Sequence, residues 1–477
     1  MTASRDREQT APVAHRSTVS SLVEQARDAQ QRIEHYHQQQ IDRVVDAVAW
    51  AIIHPENNRT LATQAVADTG LGDIEDKVAK NYRKTIGLLR DLQGKRTVGV
   101  INDIPDQGII EIARPVGIVA AVTPSTNPIA TVINNIINAV KCRNAIIIAP
   151  SPAAAKVCAR MLEYIHHELD FVQAPRELVQ MLPIPVSRQQ TEALLQQVDL
   201  VIATGSQKNI AAAAHSGTPA FGVGAGNVAS IISENADIKA AAAHIAASKT
   251  FDHATSCSAE NSLIIPASRY QQTIAALTDQ GGALLTPTEK RQLQQALWSA
   301  GKLARHSIAR PVARLAEIAG LTRPACHKAR FLMVEEQGIG PQFPFSGEKL
   351  SPVLTLYQVK NFRHACETVQ AIYRWQGAGH SVGLHTRDSN EALQAGLLLP
   401  ASRVIVNQGH VFATGGNFNN GLPFTLTLGC GTWGKNHFSD NLNYRHFFNL
   451  VRISSPIPEN VPTLEDVLGA YLQRRYP

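Results

Sequence analysis

From residue 117 onward the chain alternates short, continuously apolar runs with helical stretches, and this alternation restricts the fold more than any other feature. Strands that are apolar at every position are typical of a parallel sheet covered by helices on both faces. The sequence therefore predicts an α/β fold with parallel sheets. The strand-like runs occupy 117–122, 145–149, 182–185, 198–204, 228–232, 263–266, 354–359, 381–385 and 404–407.

The segments outside these runs divide the chain further. Residues 98–114 alternate around a Pro-Asp-Gln-Gly turn, which predicts a hairpin; it serves oligomer contact or lies on an ordinary surface. The predicted segments are a disordered tail (1–18), N-terminal helices of the first α/β domain (19–97), the hairpin (98–114), the remainder of the first domain (115–250), a second α/β domain (251–435) and a C-terminal return and oligomerisation segment (436–477).

Length and composition exclude several classes of protein. The 477 residues exceed one ordinary core, so at least two domains are expected. The net charge of +6 is spread along the chain without a run of four basic residues, which argues against a nucleic-acid binder. No apolar stretch reaches the roughly 18 residues of a membrane span and no signal peptide is visible, so we expect a cytoplasmic protein without a membrane partner.

The six cysteines contain no C-x-x-C pair and no metal-ligand spacing, so we interpret them as reduced thiols and expect no bound metal. Cys257 differs from the others because it stands on a Ser- and Thr-rich loop between a helix-like and a strand-like run. A thiol at such a junction is accessible and close to backbone N–H donors, as a nucleophile must be. A lone cysteine is more often a core residue, so the loop alone does not assign a role.

Two glycine-containing stretches are candidate contacts for a flat or phosphorylated ligand. The stretch GVGAGN (222–227) precedes a strand-like run, which reverses the order of the common dinucleotide fingerprint. It fits a tight turn or a backbone wall that a ligand approaches closely. Gly205 and Ser206 follow a strand-like run and open a helix, where amides meet phosphate, although such a βα turn is a weak pattern by itself.

Two polar side chains add to these candidates. Asn127, in TPSTNP, can donate to an oxyanion, or it can cap the helix that follows Pro128. Glu348 can accept hydrogen bonds from sugar hydroxyls, or it is simply a solvated surface carboxylate.

These segments are found together, in the same order, in one family. The segments PVGIVAAVTPSTNP, KCRNAIIIAPSP, VDLVIATGS, GTPAFGVGAGN, SKTFDHATSCSAENS, EKLSPVLTLY and LTLGCGTWGKN resemble motifs of the aldehyde dehydrogenase superfamily, and within it the CoA-acylating branch. The resemblance implies a cofactor-binding domain at 115–250 and a catalytic domain at 251–435. It also implies NAD as cofactor, with NADP possible, coenzyme A as co-substrate, and a homodimer or homotetramer.

The resemblance also implies residue roles. Cys257 would attack the aldehyde carbonyl, and the Asn127 side chain with the Cys257 backbone amide would hold the oxyanion. Glu348 would contact the nicotinamide ribose. The other implied cofactor contacts are Thr123, Pro124, Ser125, Gly205, Ser206, Gly222, Gly224 and Gly226.

Two positions differ from the hydrolytic members of the superfamily, and one of them concerns the fate of the acyl group bound to Cys257. Val223 stands where those members carry the glutamate that activates water, so the resemblance implies transfer of the acyl group to CoA. Ala149 replaces a lysine that contacts the cofactor ribose, which leaves NAD against NADP open. The alternatives are a hydrolytic dehydrogenase and a non-catalytic CoA-binding member of the fold.

Among acylating members, the segments around Cys257 and 407–436 are most similar to those that oxidise sulfoacetaldehyde, followed by succinate-semialdehyde and acetaldehyde enzymes. An anionic substrate needs polar donors in the pocket. We expect His410, Thr414 and Asn417, with Asn419, to supply them from the long Gly- and Asn-rich loop.

Overall fold

The computed structural model describes residues 6–475, which form three larger sheets, one short two-stranded sheet and a set of surrounding helices. No helix in this part of the chain combines the length and apolar character of a membrane span. The helices are α1 (Asp6–Ile33), α2 (Gln38–Ile53), α3 (Pro55–Thr69), α4 (Ile74–Leu92), α5 (Ala130–Lys141), α6 (Ala155–Phe171), α7 (Arg188–Leu195), α8 (Gln207–Ala214), α9 (Ile238–Thr250), α10 (Tyr270–Asp279), α11 (Pro287–Leu297), α12 (Val312–Ile318), α13 (Pro324–Lys328), α14 (Phe362–Trp375), α15 (Ser389–Leu398), α16 (His410–Ala413) and α17 (Leu464–Arg475).

The strands are mostly short. They are β1 (Gly99–Ile104), β2 (Ile109–Pro115), β3 (Ile118–Thr123), β4 (Ala145–Pro150), β5 (Val179–Met181), β6 (Leu200–Ala203), β7 (Ala220–Gly222), β8 (Val228–Ile232), β9 (Glu260–Pro266), β10 (Gly282–Leu284), β11 (Trp298–Ser299), β12 (Lys302–Leu303), β13 (Phe331–Glu335), β14 (Val353–Val359), β15 (Val382–His385), β16 (Val404–Val406) and β17 (Phe448–Ser454). The short pair β11–β12 is antiparallel and lies outside the three larger sheets.

The first large sheet is five-stranded and parallel, in the order β5-β4-β3-β6-β7. Every residue of β3 and β4 is buried, because helices cover both faces. Apolar residues of α1, α2, α5 and α6 form one core with these strands. The predicted strand at 182–185 lies instead at β5, since Pro183 and Pro185 cannot donate ladder hydrogen bonds.

The second large sheet is seven-stranded and parallel, in the order β10-β13-β14-β9-β8-β15-β16. Strand β8 lies inside it, between β9 and β15. The predicted domain boundary at residue 250 is therefore wrong, because β8 and α9 belong to the second domain and the crossing between the sheets lies at 223–227. A buried apolar run looks the same in either parallel sheet, which is why the sequence pattern misplaced it. The prediction of an α/β fold with two parallel sheets is confirmed.

The third sheet is antiparallel, in the order β1-β2-β17, and includes the predicted hairpin. Beyond β17 the chain ends in α17, which has no buried residue, and Leu464 of this helix is 64% exposed. At the other end, the predicted tail 1–18 differs from the structure, in which α1 begins at Asp6. Residues 1–5 of that tail lie outside the described part of the chain.

Candidate active site

A cavity of about 540 Å³ lies where the two parallel sheets meet. The five-stranded sheet contributes the residues that follow its strands β3 and β6. The seven-stranded sheet contributes residues that precede its strands β8, β9 and β14. Helix α4 supplies a third part of the wall. The main lining stretches are 123–127, 204–207, 223–226 and 255–258, with Lys80, Arg83, Lys84, Glu348 and Phe412.

Cys257 lines this cavity and is only partly buried, whereas the other five cysteines are buried. Its Sγ lies 3.3 Å from Nε2 of His380, which precedes β15 and lies behind the thiol rather than on the cavity wall. Nδ1 of the same ring lies 2.7 Å from the Ser381 hydroxyl. For Nε2 to accept the thiol proton, Nδ1 must carry the hydrogen and donate it to Ser381.

Burial keeps both members of this pair neutral. It raises the pKa of the Cys257 thiol to about 12, with smaller contributions from Glu348 and Cys430. Burial also lowers the pKa of His380 to about 3, and the Arg403 guanidinium adds to this effect. Arg403 donates to the His380 carbonyl at 3.0 Å, so the cation is fixed close to the ring. A resting thiolate–imidazolium pair is therefore disfavoured, and the proton must move while the thiol reacts.

His380 was not identified from the sequence. Ligand sites of α/β sheets are expected at the carboxyl ends of strands, whereas His380 stands before β15. The sequence does carry one indication, the Gly-rich turn ahead of it. Gly379 has a φ of +85°, and a Cβ there would lie 1.8 Å from the Cys430 carbonyl oxygen. This crowded turn fixes the position of the neighbouring ring.

Asn127 also lines the cavity, and its amide has a defined orientation. The Lys80 ammonium donates to Asn127 Oδ1 at 2.7 Å. Because an ammonium only donates, the amide oxygen must face Lys80 and the NH₂ group must face away from it. Within the described residues neither Asn127 Nδ2 nor the Cys257 backbone N–H has a protein acceptor. The capping alternative is wrong, since the helix begins at Ala130 and has no side-chain cap.

Lys80 is held by a buried carboxylate on the segment that leads to Cys257. Asp252 accepts from Lys80 at 2.5 Å and from Lys77 at 3.0 Å, and it is fully buried. Burial by itself would raise the pKa of Asp252, but the two ammonium groups outweigh it and lower the pKa to about 2. Asp252 also opens three consecutive residues with positive φ, at 51°, 49° and 56°. This strained backbone persists because the ion cluster binds it to α4.

The predicted cofactor residues fall into two groups. Thr123, Pro124, Ser125, Gly205, Ser206, Gly224, Gly226 and Glu348 all line the cavity. Gly222 does not, because it packs against α8, where a Cβ would lie 2.8 Å from Ile210 Cγ2. Ser206 caps α8 by accepting from the Asn209 amide at 3.3 Å, so the start of this helix faces the cavity.

The Gly-rich crossing packs its backbone closely against the Cys257 segment and Glu348. A Cβ at Gly226 would lie 2.5 Å from the Cys257 carbonyl oxygen and 2.7 Å from Glu348 Oε1. Only glycine therefore keeps the backbone this close to both residues. Burial raises the pKa of Glu348 to about 8, so its carboxyl is mostly protonated at neutral pH. These residues would fit a nicotinamide dinucleotide, and the start of α8 would offer N–H groups to its phosphates.

The three predicted substrate residues are not on the cavity wall, so the structure differs here from the expectation. His410 and Thr414 are buried, and the His410 ring contacts the Ser258 carbonyl at 2.9 Å and the Thr414 hydroxyl at 2.8 Å. Asn417 Oδ1 accepts a hydrogen bond from Arg83. The long loop folds back under the Cys257 segment through α16, which the polar composition of the loop did not reveal.

Comparisons with known proteins agree with this geometry. Residues 3–297 match the model of the aldehyde dehydrogenase family. The chain is 55% identical to the acylating sulfoacetaldehyde dehydrogenase of Cupriavidus necator over 456 residues, 96% of this chain and 92% of the relative. It is 37% identical to the acetylating succinate-semialdehyde dehydrogenase of Clostridium kluyveri, over 95% of this chain and 99% of the relative. An acetylating aldehyde dehydrogenase structure from Geobacillus thermoglucosidasius superimposes with a TM-score of 0.90 at 36% identity, covering 95% of this chain and 99% of its own.

Proposed function

The chain belongs to the aldehyde dehydrogenase family, and from that premise we propose that it oxidises sulfoacetaldehyde to its coenzyme A thioester with NAD as hydride acceptor. The observation that carries the proposal is the surroundings of Cys257. Its thiol lines the cavity, and a neutral imidazole lies 3.3 Å from the sulfur. The Asn127 side-chain amide lines the same cavity, and among the described residues neither this amide nor the Cys257 backbone N–H has an acceptor. This arrangement fits a nucleophile with a proton acceptor and an oxyanion site.

In the first half-reaction the Cys257 sulfur bonds to the carbonyl carbon while His380 Nε2 takes the thiol proton. The carbonyl oxygen becomes an oxyanion that accepts from Asn127 Nδ2 and the Cys257 amide. Because the pKa values of thiol and imidazole lie far apart, the proton moves as the C–S bond forms. The nicotinamide, when bound, accepts the hydride. The acyl group then remains on Cys257 as a thioester, and the proton from the thiol is released to solvent.

In the second half-reaction the CoA thiol attacks the thioester and the Cys257 sulfur leaves. A free thiol has a pKa of about 8.5, so a few per cent is thiolate at neutral pH and needs no strong base. The proton that CoA gives up restores the Cys257 thiol. Water has a pKa of about 15.7 and does require a base. Val223, which lines the cavity, supplies none.

A hydrolytic function is the second candidate, and Glu348 favours it. Glu348 is the one carboxyl group on the cavity wall among the described residues, and its electrostatic effect reaches the Cys257 thiol. A carboxylate with a pKa of about 8 is basic enough to activate water once it ionises. Succinate semialdehyde and acetaldehyde are the alternative substrates for the acylating reaction.

The test is NAD(P)H formation from sulfoacetaldehyde, succinate semialdehyde and acetaldehyde, with and without CoA, using both cofactors. Without CoA we expect a burst of about one equivalent per site and then a stall, as covalent catalysis requires. With CoA we expect sustained turnover and the highest kcat/KM for sulfoacetaldehyde with NAD. Sustained turnover without CoA would establish hydrolysis instead. A higher kcat/KM for acetaldehyde would overturn the substrate assignment.

The exposed C-terminal segment and the free cysteines bear on the assembly and location of the protein. The exposed apolar residues of β17 and α17, with Val467 at 60% and Leu464 at 64%, support a homodimer or homotetramer joined through this segment. All six cysteines are free, which supports a cytoplasmic location. The molar mass in solution, measured by light scattering, tests the assembly, and a monomer would contradict it.

A further inference from the structure

The cavity wall carries an excess of positive charge. Helix α4 places Lys80, Arg83 and Lys84 on it, whereas Glu348 is the one carboxyl group there within residues 6–475. Burial keeps Glu348 mostly protonated at neutral pH. Charged groups taken out of water require a partner of opposite charge. The cavity is therefore suited to a negatively charged ligand.

Two of the three cations are already engaged. The Lys80 ammonium donates to Asn127, Asp252 and Thr255, which uses all of its hydrogens. Lys84 donates to the Gly415 carbonyl at 2.7 Å and lies over the Phe424 ring. Burial also lowers the pKa of Lys84 to about 7, so its charge is easily lost. Neither lysine is a strong receptor for an anion.

Arg83 differs from both lysines because part of its guanidinium is unused. Nη2 donates to the Phe412 carbonyl at 3.1 Å and to Asn417 Oδ1. In the described part of the chain Nε and Nη1 have no acceptor, and no carboxylate forms an ion pair with the group. The Phe412 ring, 5.3 Å from the guanidinium carbon, supports its flat face. Arg83 is thus held in place through Nη2, and its Nε–H and Nη1–H groups, which we call the free edge, remain available as donors.

We propose that the free edge of the Arg83 guanidinium binds the negatively charged tail of the aldehyde substrate, a sulfonate or carboxylate, while Cys257 attacks the carbonyl at the other end. This inference rests on the proposed function and names its specificity residue. A planar fork of N–H donors matches two oxygens of such a group, which a lysine cannot do. Asn417, which the sequence suggested as a substrate contact, holds the arginine instead.

The test compares Arg83→Gln with the parent on sulfoacetaldehyde and acetaldehyde. Loss of a charge-assisted pair is expected to lower kcat/KM for sulfoacetaldehyde about 10- to 100-fold, mainly through KM. Acetaldehyde should change at most about threefold, since it has no tail to bind. Arg83→Lys keeps the charge but lacks the planar set of donors, so its kcat/KM for sulfoacetaldehyde should lie between those of the parent and Arg83→Gln. Arg59→Gln is the control: Arg59 is exposed on α3, pairs with Glu75 of α4 and does not line the cavity, so this variant should leave both substrates unchanged.

A second measurement does not depend on turnover of the anionic aldehyde. Ethanesulfonate should inhibit acetaldehyde oxidation competitively in the parent and about 10-fold more weakly in Arg83→Gln, with Arg83→Lys between the parent and Arg83→Gln. Equal loss with both aldehydes, unchanged inhibition, or a raised KM for CoA or NAD would overturn the inference. If Arg83→Gln fails to fold, the Arg83→Lys series decides by the same criteria. A parent that prefers acetaldehyde would contradict the proposed substrate, whereas a parent that prefers sulfoacetaldehyde with no selective loss in the variants contradicts only the role of Arg83.

Discussion

The two parallel sheets contribute to the same cavity from opposite strand ends. The five-stranded sheet presents its carboxyl edge, with Asn127 after β3 and Ser206 after β6. The seven-stranded sheet presents its amino edge, with Cys257 before β9, Glu348 before β14 and His380 before β15. The carboxyl edge offers amides and the start of a helix, which bind and orient. The amino edge offers side chains held neutral by burial, whose charges change during the reaction.

This division teaches where function can be sought in such folds. Helix N-termini gather at the carboxyl edge and bring fixed partial positive charge, which suits phosphates and oxyanions. The amino edge lacks them, so a thiol there is not driven toward thiolate. The difference predicts the largest losses from substituting the reacting pair at the amino edge, Cys257 and His380, and smaller losses from substitutions at the carboxyl edge, which weaken orientation.

The largest effect is expected from Cys257→Ala. Without the sulfur no covalent intermediate forms, and kcat should fall by about 10⁴- to 10⁶-fold, as for other essential nucleophiles. Steady-state NADH formation measures the rate, and intact-protein mass spectrometry of a CoA-free reaction should show an acyl adduct in the parent only. Cys366→Ala is the control for loss of a thiol, because Cys366 is buried in α14 and does not line the cavity. Unchanged NADH formation in Cys257→Ala would support a non-catalytic member of the fold.

His380→Asn should lower kcat/KM by about 10²- to 10⁴-fold at pH 7, the usual contribution of a general base. Because the thiol pKa is about 12, the thiolate fraction rises about tenfold for each unit by which the pH increases between 7 and 10. The deficit of the variant should therefore shrink as pH rises from 7 to 10. A pH–rate profile of both proteins measures this. A deficit independent of pH would show that His380 only packs against the thiol.

Asn127→Ala should lower kcat by about 10²- to 10³-fold, the value typical of one lost oxyanion donor. Lys80→Met should cost about tenfold, because the amide remains but is free to turn. If Lys80 acts through Asn127, Lys80→Met should have no further effect on kcat in the Asn127→Ala background. Lys80→Met also removes one partner of buried Asp252, and thermal unfolding of each variant measures the loss of stability that this causes. Independent, additive losses would contradict the orienting role.

The sequence predicts much of this fold and part of the site. Continuous apolar runs identified most strands of both sheets, and the motif around Cys257 placed the thiol before β9. The sheet to which β8 belongs could not be predicted, because every parallel strand buried on both faces has the same pattern. His380, Lys80 and Arg83 were missed because their roles arise from contacts between elements far apart in the chain. Lys80 and Asn127, for example, are 47 residues apart.

The smallest effect is expected from Glu348→Gln, which tests whether burial keeps this amino-edge carboxyl neutral. Burial raises its pKa to about 8, so at pH 6.5 glutamine replaces a protonated carboxyl of the same shape. The KM for NAD should then change at most about threefold. Above pH 8 the parent carboxyl ionises and accepts more strongly from ribose hydroxyls, so the ratio of the two KM values should rise toward about tenfold. A tenfold ratio already at pH 6.5 would mean that Glu348 is ionised there. If the variant instead loses a CoA-independent turnover that the parent shows, Glu348 activates water, and the amino edge of this sheet serves hydrolysis as well as attack by the thiol.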